Sequence, residues 1–149
     1  MRADFDQSYT RYFMPELFIP MSSAELDESD IEAVLAVVRS GRLALGAKSV
    51  EFETLMAQYV GVKHAIAVSS GTAALHLLVC ALNIGAGDEV IVPSFTFAAS
   101  ANAVLYERAT PVFAEIESST YNLDPDDVRR KITPRTKAIL ISYPNNPTG

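Results

Sequence analysis

The sequence predicts an α/β fold of three layers, in which helices cover both faces of a mainly parallel sheet. Short runs of β-branched residues alternate with longer helical patterns along most of the chain. Strands separated by helices of this length are joined by right-handed crossovers, which makes neighbouring strands parallel. The composition fits a folded domain, because 49% of the 149 residues are hydrophobic and 20% are charged.

Two amphipathic helices are predicted before the first strand, over residues 27–39 and 50–59, because apolar residues recur there at helical spacing. Ser22 or Ser23 is expected to cap the first of them. Residues 1–64 are therefore predicted to form an N-terminal helical segment within one larger domain that spans the chain.

Strands and helices alternate after this segment. The last helix is marked by Asp124 before Pro125, the residue types preferred at an N-cap and at the first helical position. The acids that follow belong to this cap and do not suggest a catalytic pair. Strands are predicted at 65–68, 89–93, 111–116 and 137–142, and helices at 71–83, 97–106 and 125–131.

Charge and cysteine content exclude several classes of function. A net charge of −6 without a cluster of Lys and Arg argues against a nucleic-acid partner. The single cysteine, Cys80, excludes an internal disulfide and favours a reduced, cytoplasmic location, and the N-terminus lacks the apolar core of a secretory signal. Residues 65–87 are apolar enough to suggest a membrane span, but the polar residues 69–72 interrupt them, so no membrane partner is expected.

The strongest local signal is the segment 67–75, AVSSGTAAL, where a predicted strand turns through small residues directly into a helix. The first N–H groups of a helix have no intrahelical partner and lie at the positive end of its dipole. Gly71 lets a phosphate approach the backbone, and the hydroxyls of Ser70 and Thr72 can donate hydrogen bonds. Ligands of open α/β sheets bind at the carboxyl ends of strands, which is where this turn falls. The segment predicts an anion site.

A simpler interpretation of the same residues stays open at this point. Ser69 or Ser70 would then only cap the helix, which stabilises it by about 1 kcal/mol. The spacing agrees equally well with both interpretations. Two well-defined phosphate sites are excluded, since the chain contains neither G-x-G-x-x-G nor G-x-x-x-x-G-K-[ST].

Several motifs in one order resemble the DegT/StrS type of pyridoxal-phosphate sugar aminotransferases, which have aminotransferase fold type I. Motifs in a shared order are far more specific than any one of them. The matching segments are 40–42 with Gly46, 50–53, 59–61, 69–75, 87–97, 111–113, 121–125 and 132–139. The resemblance implies the N-terminal, incomplete part of the large domain of that fold.

The resemblance also implies a cofactor, pyridoxal 5′-phosphate, and residues that hold it. The backbone around Gly71, Thr72 and Ala73, with Ser70 before it, would bind the cofactor phosphate. Phe97 corresponds to the aromatic residue that stacks on the pyridine ring, which agrees with the affinity of flat rings for aromatic faces. Packing in an ordinary core is the alternative for Phe97, and Phe95 is its expected core neighbour.

The end of the chain departs from this family. Residues 143–149, YPNNPTG, resemble class I and II aminotransferases, in which the Asn of N-P-T-G bonds the phenolic oxygen of the cofactor. That role would fall to Asn146. A turn rich in Pro and Asn is the simpler interpretation of the same residues.

The remaining candidates suggest no further chemistry. His76 and Cys80 are expected in the core or at a subunit interface, and His64 is expected at the entry to a strand. Two histidines and one cysteine do not predict a zinc site. None of the lysines, which are Lys48, Lys63, Lys131 and Lys137, lies in the family's cofactor-binding motif, so no catalytic residue is assigned.

The function implied by the resemblance is transfer of an amino group from an amino-acid donor such as glutamate to a nucleotide-linked keto sugar. The covalent lysine and the acid that holds the pyridine nitrogen are expected beyond residue 149, so the chain alone is expected to be inactive. A homodimer is implied for the intact protein. The alternatives are an amino-acid aminotransferase of class I or II, and a phosphate-binding remnant without catalysis.

Overall fold

The structure, a computed structural model, describes Pro20 and residues 23–44, 46–146 and 148. The chain divides into two units, Met1–Glu51 and Phe52–Gly149. The predicted segment 1–64 does not coincide with this division and stays a prediction. No helix among the described residues is long and apolar enough to cross a membrane.

The first unit contains helix α1 (Glu28–Ser40), which begins at a cap of two acids. The Asp27 carboxylate accepts the N–H groups of Ser29 and Asp30, and the Asp30 carboxylate accepts the N–H of Asp27. The expected cap at Ser22 or Ser23 is therefore wrong, because Asp27 already satisfies the first amides; Ser22 itself lies outside the described residues. Gly41 ends the helix with φ 69°, a left-handed conformation that glycine adopts readily.

Helix α2 (Ala47–Val60) extends across the division between the two units. It begins three residues earlier than the apolar pattern predicts. Its end is closed by backbone bonds from Gly61 and Val62 to the carbonyl of Ala57, at 3.0 and 2.9 Å. Ala57 is also the buried residue of this helix.

The second unit is built around a parallel sheet of three strands in the order β2-β1-β3. The central strand, β1, pairs through backbone hydrogen bonds with a neighbour on each edge. Its Ile91 lies beside Val112 of one neighbour and Ile139 of the other. Every residue of the central strand is buried. The elements of this unit are α3 (Gly71–Ala81), β1 (Glu89–Pro93), α4 (Ala99–Tyr106), β2 (Thr110–Ala114), α5 (Pro125–Lys131) and β3 (Thr136–Ile139).

The side chains of β1 alternate between two cores, one on each face of the sheet. Val90 and Val92 pack with Val79 of α3 and Val104 of α4. Ile91 points to the other face, where it packs with Val128 of α5. Helices therefore cover both faces, and the predicted three-layer α/β class is confirmed.

Residues 65–68 form no strand in the structure, although their apolar sequence predicts one. A strand needs a neighbour that pairs with its backbone, and none of the three described strands pairs with this segment. Its Ala67 N–H is bound instead by the carboxylate of Glu53, at 2.9 Å. The prediction was wrong because apolar periodicity does not specify a pairing partner.

Two buried carboxylates hold the sheet to its connections. Glu89 accepts a hydrogen bond from Thr133 at 2.5 Å and is paired with Arg135; the bond from Thr133 lowers its pKa. Asp127 of α5 is bonded by Lys131 and by the N–H of Glu115, which lowers its pKa to about 2. Both groups are anions that stabilise the fold. The cap of α5 is Asp124, as the sequence predicts, whereas Asp127 of the same acidic cluster bonds groups outside the cap.

Candidate functional site

The start of α3 leaves two backbone donors unused. Ser70 is the N-cap, and its side-chain oxygen accepts the N–H of Ala73 at 3.1 Å. The Ser70 carbonyl accepts the N–H of Ala74 at 3.0 Å. Among the described residues, no hydrogen-bond acceptor faces the amides of Gly71 and Thr72. These two donors lie at the positive end of the helix dipole and are available to an anion.

The space beside these amides is open. A Cβ built on Gly71 would meet no atom within 4 Å, and the residue does not have a positive φ, so the protein's own packing does not require glycine here. The first turn of α3 contains no acidic residue that would repel an anion. The Ser70 hydroxyl, which uses its oxygen as an acceptor, retains its proton for donation. A phosphate group fits this set of donors in number, charge and space.

Phe97 lies in the loop between β1 and α4, two residues before the helix begins, whereas the sequence predicted it inside that helix. The side chain is 58% exposed and makes no ring contact among the described residues. Its carbonyl accepts the N–H of Ser100 at 3.0 Å, which fixes the backbone of the loop. An exposed ring on a fixed backbone suits stacking on a ligand better than packing in a core. The role of Phe97 in stacking on the cofactor ring stays a prediction.

Phe95, the expected core neighbour, packs instead on the ring of Tyr121, with 5.9 Å between ring centroids. The two rings border a largely apolar cavity of about 380 Å³. No local pattern in the sequence predicts this cavity, because its lining comes from three separate stretches of the chain. The lining residues are Pro93, Phe95, Tyr121, Asn122, Leu123, Pro125, Val128, Ile139, Ile141, Ser142, Tyr143 and Asn145.

The two asparagines of the C-terminal tail have different environments. Asn145 is buried, lines this cavity, and donates its side-chain amide to Thr148 at 3.1 Å. Asn146, the residue assigned to the cofactor by resemblance, is exposed in a turn. An exposed amide is accessible to a ligand, so the role of Asn146 stays a prediction. Pro147 and Gly149 lie outside the described residues.

Three lysines have partners other than a ligand. Lys131 binds both Asp127 and the carbonyl of Phe113, at 2.7 Å each. Lys48 is paired with Glu51 at 2.6 Å, and Lys137 lies 3.9 Å from Asp88. Ion pairs of exposed side chains such as Lys48 and Lys137 are weak, so the assignment of no catalytic residue within the chain stays a prediction.

His76 and Cys80 are both half-buried on α3, and both contact Glu107. The sequence placed them in the core or at an interface. It did not point to Glu107, which is separated from Cys80 by 27 residues. Helical spacing alone relates His76 to Cys80, four residues apart on one face.

Comparison with known proteins places these features in a family. Residues 24–143 match the DegT/DnrJ/EryC1/StrS aminotransferase family. The chain is 48% identical to GDP-perosamine synthase of Caulobacter vibrioides over 123 residues, which are 82% of this chain and 33% of the relative. It is 45% identical to the spore coat polysaccharide biosynthesis protein SpsC of Bacillus subtilis, over 83% of this chain and 32% of the relative. The chain thus spans about a third of the length of these relatives.

A solved structure from Streptococcus pneumoniae, described as a sugar aminotransferase, superposes with a TM-score of 0.78. It is 37% identical and covers 81% of this chain, which in turn covers 31% of it. Its structure is known in PLP and PMP forms. The family, the fold type and pyridoxal phosphate as the family's cofactor were all predicted from the sequence, and these comparisons confirm them.

Proposed function

We propose, because the chain belongs to the DegT/DnrJ/EryC1/StrS aminotransferase family, that the whole protein transfers an amino group from an amino-acid donor such as glutamate to a nucleotide-linked keto sugar. The observation that carries the proposal is the start of α3, where Gly71 and Thr72 present free amides in the part of the chain that matches the family. The names of two relatives, a GDP-perosamine synthase and a spore coat polysaccharide protein, support a sugar as the acceptor.

In this proposal the α3 start binds the phosphate of pyridoxal phosphate. The amides of Gly71, Thr72 and Ala73 lie in the first turn, and the Ser70 hydroxyl donates from the cap position. Ala73 already bonds Ser70, so Gly71 and Thr72 are the main backbone donors. When bound, the cofactor supplies an electron sink for bond changes at the carbon that carries nitrogen. The protein's part here is to position and charge-balance the phosphate.

Phe97 and Asn146 would fix the ring of the cofactor. Phe97 offers an exposed aromatic face for stacking, and Asn146 offers a side-chain amide to the phenolic oxygen. Both residues lie in loops, so the neighbouring α4 and β3 determine their positions. The whole protein is proposed to act as a cytoplasmic homodimer. Leu77, Leu78 and Leu82, which are exposed at α3, supply apolar surface for such an interface.

The 149-residue chain alone is expected to position a phosphate without catalysing transfer. Three of its lysines are engaged in other contacts, and none lies in the family's cofactor-binding motif. Without a covalent lysine and an acid beside the pyridine nitrogen, positioning cannot complete the reaction.

The tail favours a second candidate, an amino-acid aminotransferase of class I or II, because residues 143–149 carry the N-P-T-G motif of those enzymes. The two candidates differ in the amino acceptor, a keto sugar in one and a 2-oxo acid in the other. A phosphate-binding protein without catalysis is the third alternative.

A chimera tests these candidates. Residues 24–143 replace the matching third of Caulobacter vibrioides GDP-perosamine synthase, and a second chimera also carries residues 144–149. We expect the first chimera to retain the transfer activity of its parent, while the chain alone gives no turnover with pyridoxal phosphate, an amino donor and a keto-sugar nucleotide.

The outcomes separate the three candidates. A chimera that transfers the amino group to 2-oxo acids but not to keto-sugar nucleotides would support the second candidate, an amino-acid aminotransferase of class I or II. A folded chimera that binds the cofactor without turnover would support the non-catalytic alternative. Borohydride trapping of one lysine in the chain alone, with turnover, would contradict the assignment of no catalytic residue within 1–149.

A further inference from the structure

Three side chains with metal-binding atoms converge between α3 and α4. His76 Nε2 lies 2.6 Å from Glu107 Oε1, and Cys80 Sγ lies 3.1 Å from the same oxygen. The three atoms all lie within 4.8 Å of one another. This cluster involves none of the residues assigned to the cofactor.

The three residues of the cluster are held by two helices that pack on each other, α3 and α4. His76 and Cys80 are four residues apart on α3, which places both on one face of the helix. Glu107 is the C-cap of α4, whose N–H bonds the carbonyls of Val104 and Leu105. The two helices share a core through Val79 and Val104. Two ligand atoms on one helix and a third on its packed neighbour therefore keep their spacing without a loop rearrangement.

We propose that His76, Cys80 and Glu107 bind a zinc ion. Imidazole, thiolate and carboxylate are the ligand types that Zn²⁺ takes in proteins. Metal–ligand bonds of about 2.0–2.3 Å in a tetrahedral site separate the ligand atoms by roughly 3.3–3.8 Å. The two contacts to Glu107 reach that spacing if its side chain withdraws by less than about 1 Å. Nε2 of His76 and Sγ of Cys80, which lie within 4.8 Å of each other, also have to adopt it, and side-chain rotamer adjustments supply both movements.

Binding changes protonation in a defined way. The Cys80 thiol gives its proton to solvent and binds as thiolate, His76 binds through Nε2 in its neutral form, and Glu107 binds as carboxylate. The two hydrogen bonds to Glu107 are replaced by bonds to the ion. His76 and Glu107 have side chains 37% and 32% exposed, so water reaches the fourth position. The His76 ring packs on the ring of Tyr106 in a T-shaped arrangement, with 5.2 Å between centroids, and this contact holds the imidazole in place.

The site is separate from the proposed phosphate site. Gly71 and Cys80 are nine residues apart on α3, which is about 13 Å along a helix. A zinc ion here links α3 to α4, so it stabilises the helix whose start binds phosphate without contacting the phosphate itself.

A hydrogen-bonded polar cluster without metal affinity is the competing interpretation. In that case Glu107 simply satisfies a half-buried thiol and imidazole. The two interpretations differ in one measurable respect: only the first makes the cluster selective for a thiophilic ion over Mg²⁺.

The test is titration of the full chain with Co²⁺, a spectroscopic stand-in for zinc. We expect one Co²⁺ per chain, with a thiolate-to-metal charge-transfer band that Zn²⁺ abolishes and Mg²⁺ does not. Cys80→Ser should remove the band, and Glu107→Gln should weaken Co²⁺ binding at least tenfold, because even loss of an outer partner costs 10–100-fold. His64→Ala, which changes the other histidine, is the matched control and should leave the titration unchanged.

A second measurement uses the unaltered chain, so it does not depend on a variant that folds. Cys80 is the single cysteine, so its rate of modification by a thiol reagent reports on this site alone. Zn²⁺ should slow the reaction, and a chelator should restore it. The proposal is overturned if zinc leaves the rate unchanged, if no charge-transfer band forms, or if His64→Ala removes binding as fully as His76→Ala does.

Discussion

Helices α1 and α3 begin in chemically opposite ways. At α1, the carboxylates of Asp27 and Asp30 occupy the free amides, and hydrogen bonds from Ser29 and Asp30 lower the pKa of Asp27. At α3, one hydroxyl occupies one amide, the first turn carries no acid, and Gly71 opens the approach. The first helix therefore satisfies its own dipole, whereas the positive end of the second carries no carboxylate in its first turn.

The comparison teaches that a helix start indicates a binding site only when its own sequence leaves the donors free. Helix α5 agrees with this rule, since Asp124 caps it and its first-turn Asp127 binds the N–H of Glu115. The start of α3 differs from those of α1 and α5 in two respects. Its residues 69–74 are all small, and its first turn contains no carboxylate.

The largest effect is expected from Ser70→Asp, which gives α3 the kind of cap that α1 has. Aspartate caps helices as well as serine, so the melting temperature should not fall. A carboxylate beside a phosphate dianion repels it by a few kcal/mol at short range, so affinity for pyridoxal phosphate should fall by on the order of a hundredfold or more. Calorimetric titration of the family-length chimera measures this. Ser70→Asn is the neutral control, and an equal loss in both variants would contradict the electrostatic account.

A smaller effect is expected from Gly71→Val. The added side chain meets no protein atom at its Cβ, so the fold should tolerate it, but it occupies the approach to two amides. Loss of one hydrogen bond to a charged acceptor, worth about 1.5–3 kcal/mol, predicts a fall in cofactor affinity of tenfold or more. The cofactor affinity of Gly71→Ala should lie between that of the unaltered protein and that of Gly71→Val. Affinity that is unchanged in Gly71→Val would remove Gly71 from the site.

Phe97→Ala should have a smaller effect again. Stacking adds about 1 kcal/mol beyond the buried area, so cofactor affinity should fall roughly fivefold. Phe95→Ala is the matched control, because Phe95 packs on Tyr121 and should affect thermal stability more than binding. If Phe95→Ala lowers cofactor affinity in titrations and Phe97→Ala lowers the melting temperature instead, the stacking role belongs to Phe95.

The smallest effect on phosphate binding is expected from Asp127→Asn in α5, because Asp127 bonds groups of the fold, such as Lys131 and the N–H of Glu115. Asp127 has a folded pKa of about 2, below its ordinary value of 3.8. Its stabilising contribution is therefore complete above pH 4 and is lost as the pH falls toward 2. Asp127→Asn should flatten the fall in melting temperature over that range and leave phosphate affinity unchanged at pH 7. A melting curve series from pH 2 to 6 would contradict this if both proteins lost stability in parallel.

The sequence predicted most of the second unit, because its strands and helices are defined by local patterns. The bounds of β1 agree with the prediction, and α5 begins where Asp124 and Pro125 indicated. Residues 65–68 were assigned to a strand in error, since pairing depends on distant neighbours. The Phe95–Tyr121 cavity and the approach of Glu107 to His76 also depend on tertiary contacts, so no local signal identified them.

The central claim, that the α3 start is an anion site, is tested most directly by amide NMR of the chain during titration with inorganic phosphate and with pyridoxal phosphate. The account predicts that the amides of Gly71 and Thr72 shift most, with saturation, while those of Ser29 and Asp30 at the start of α1 do not move. Both ligands should affect the same amides, since they share the phosphate group. Shifts centred elsewhere, or equal shifts at the starts of α1 and α3, would contradict the claim.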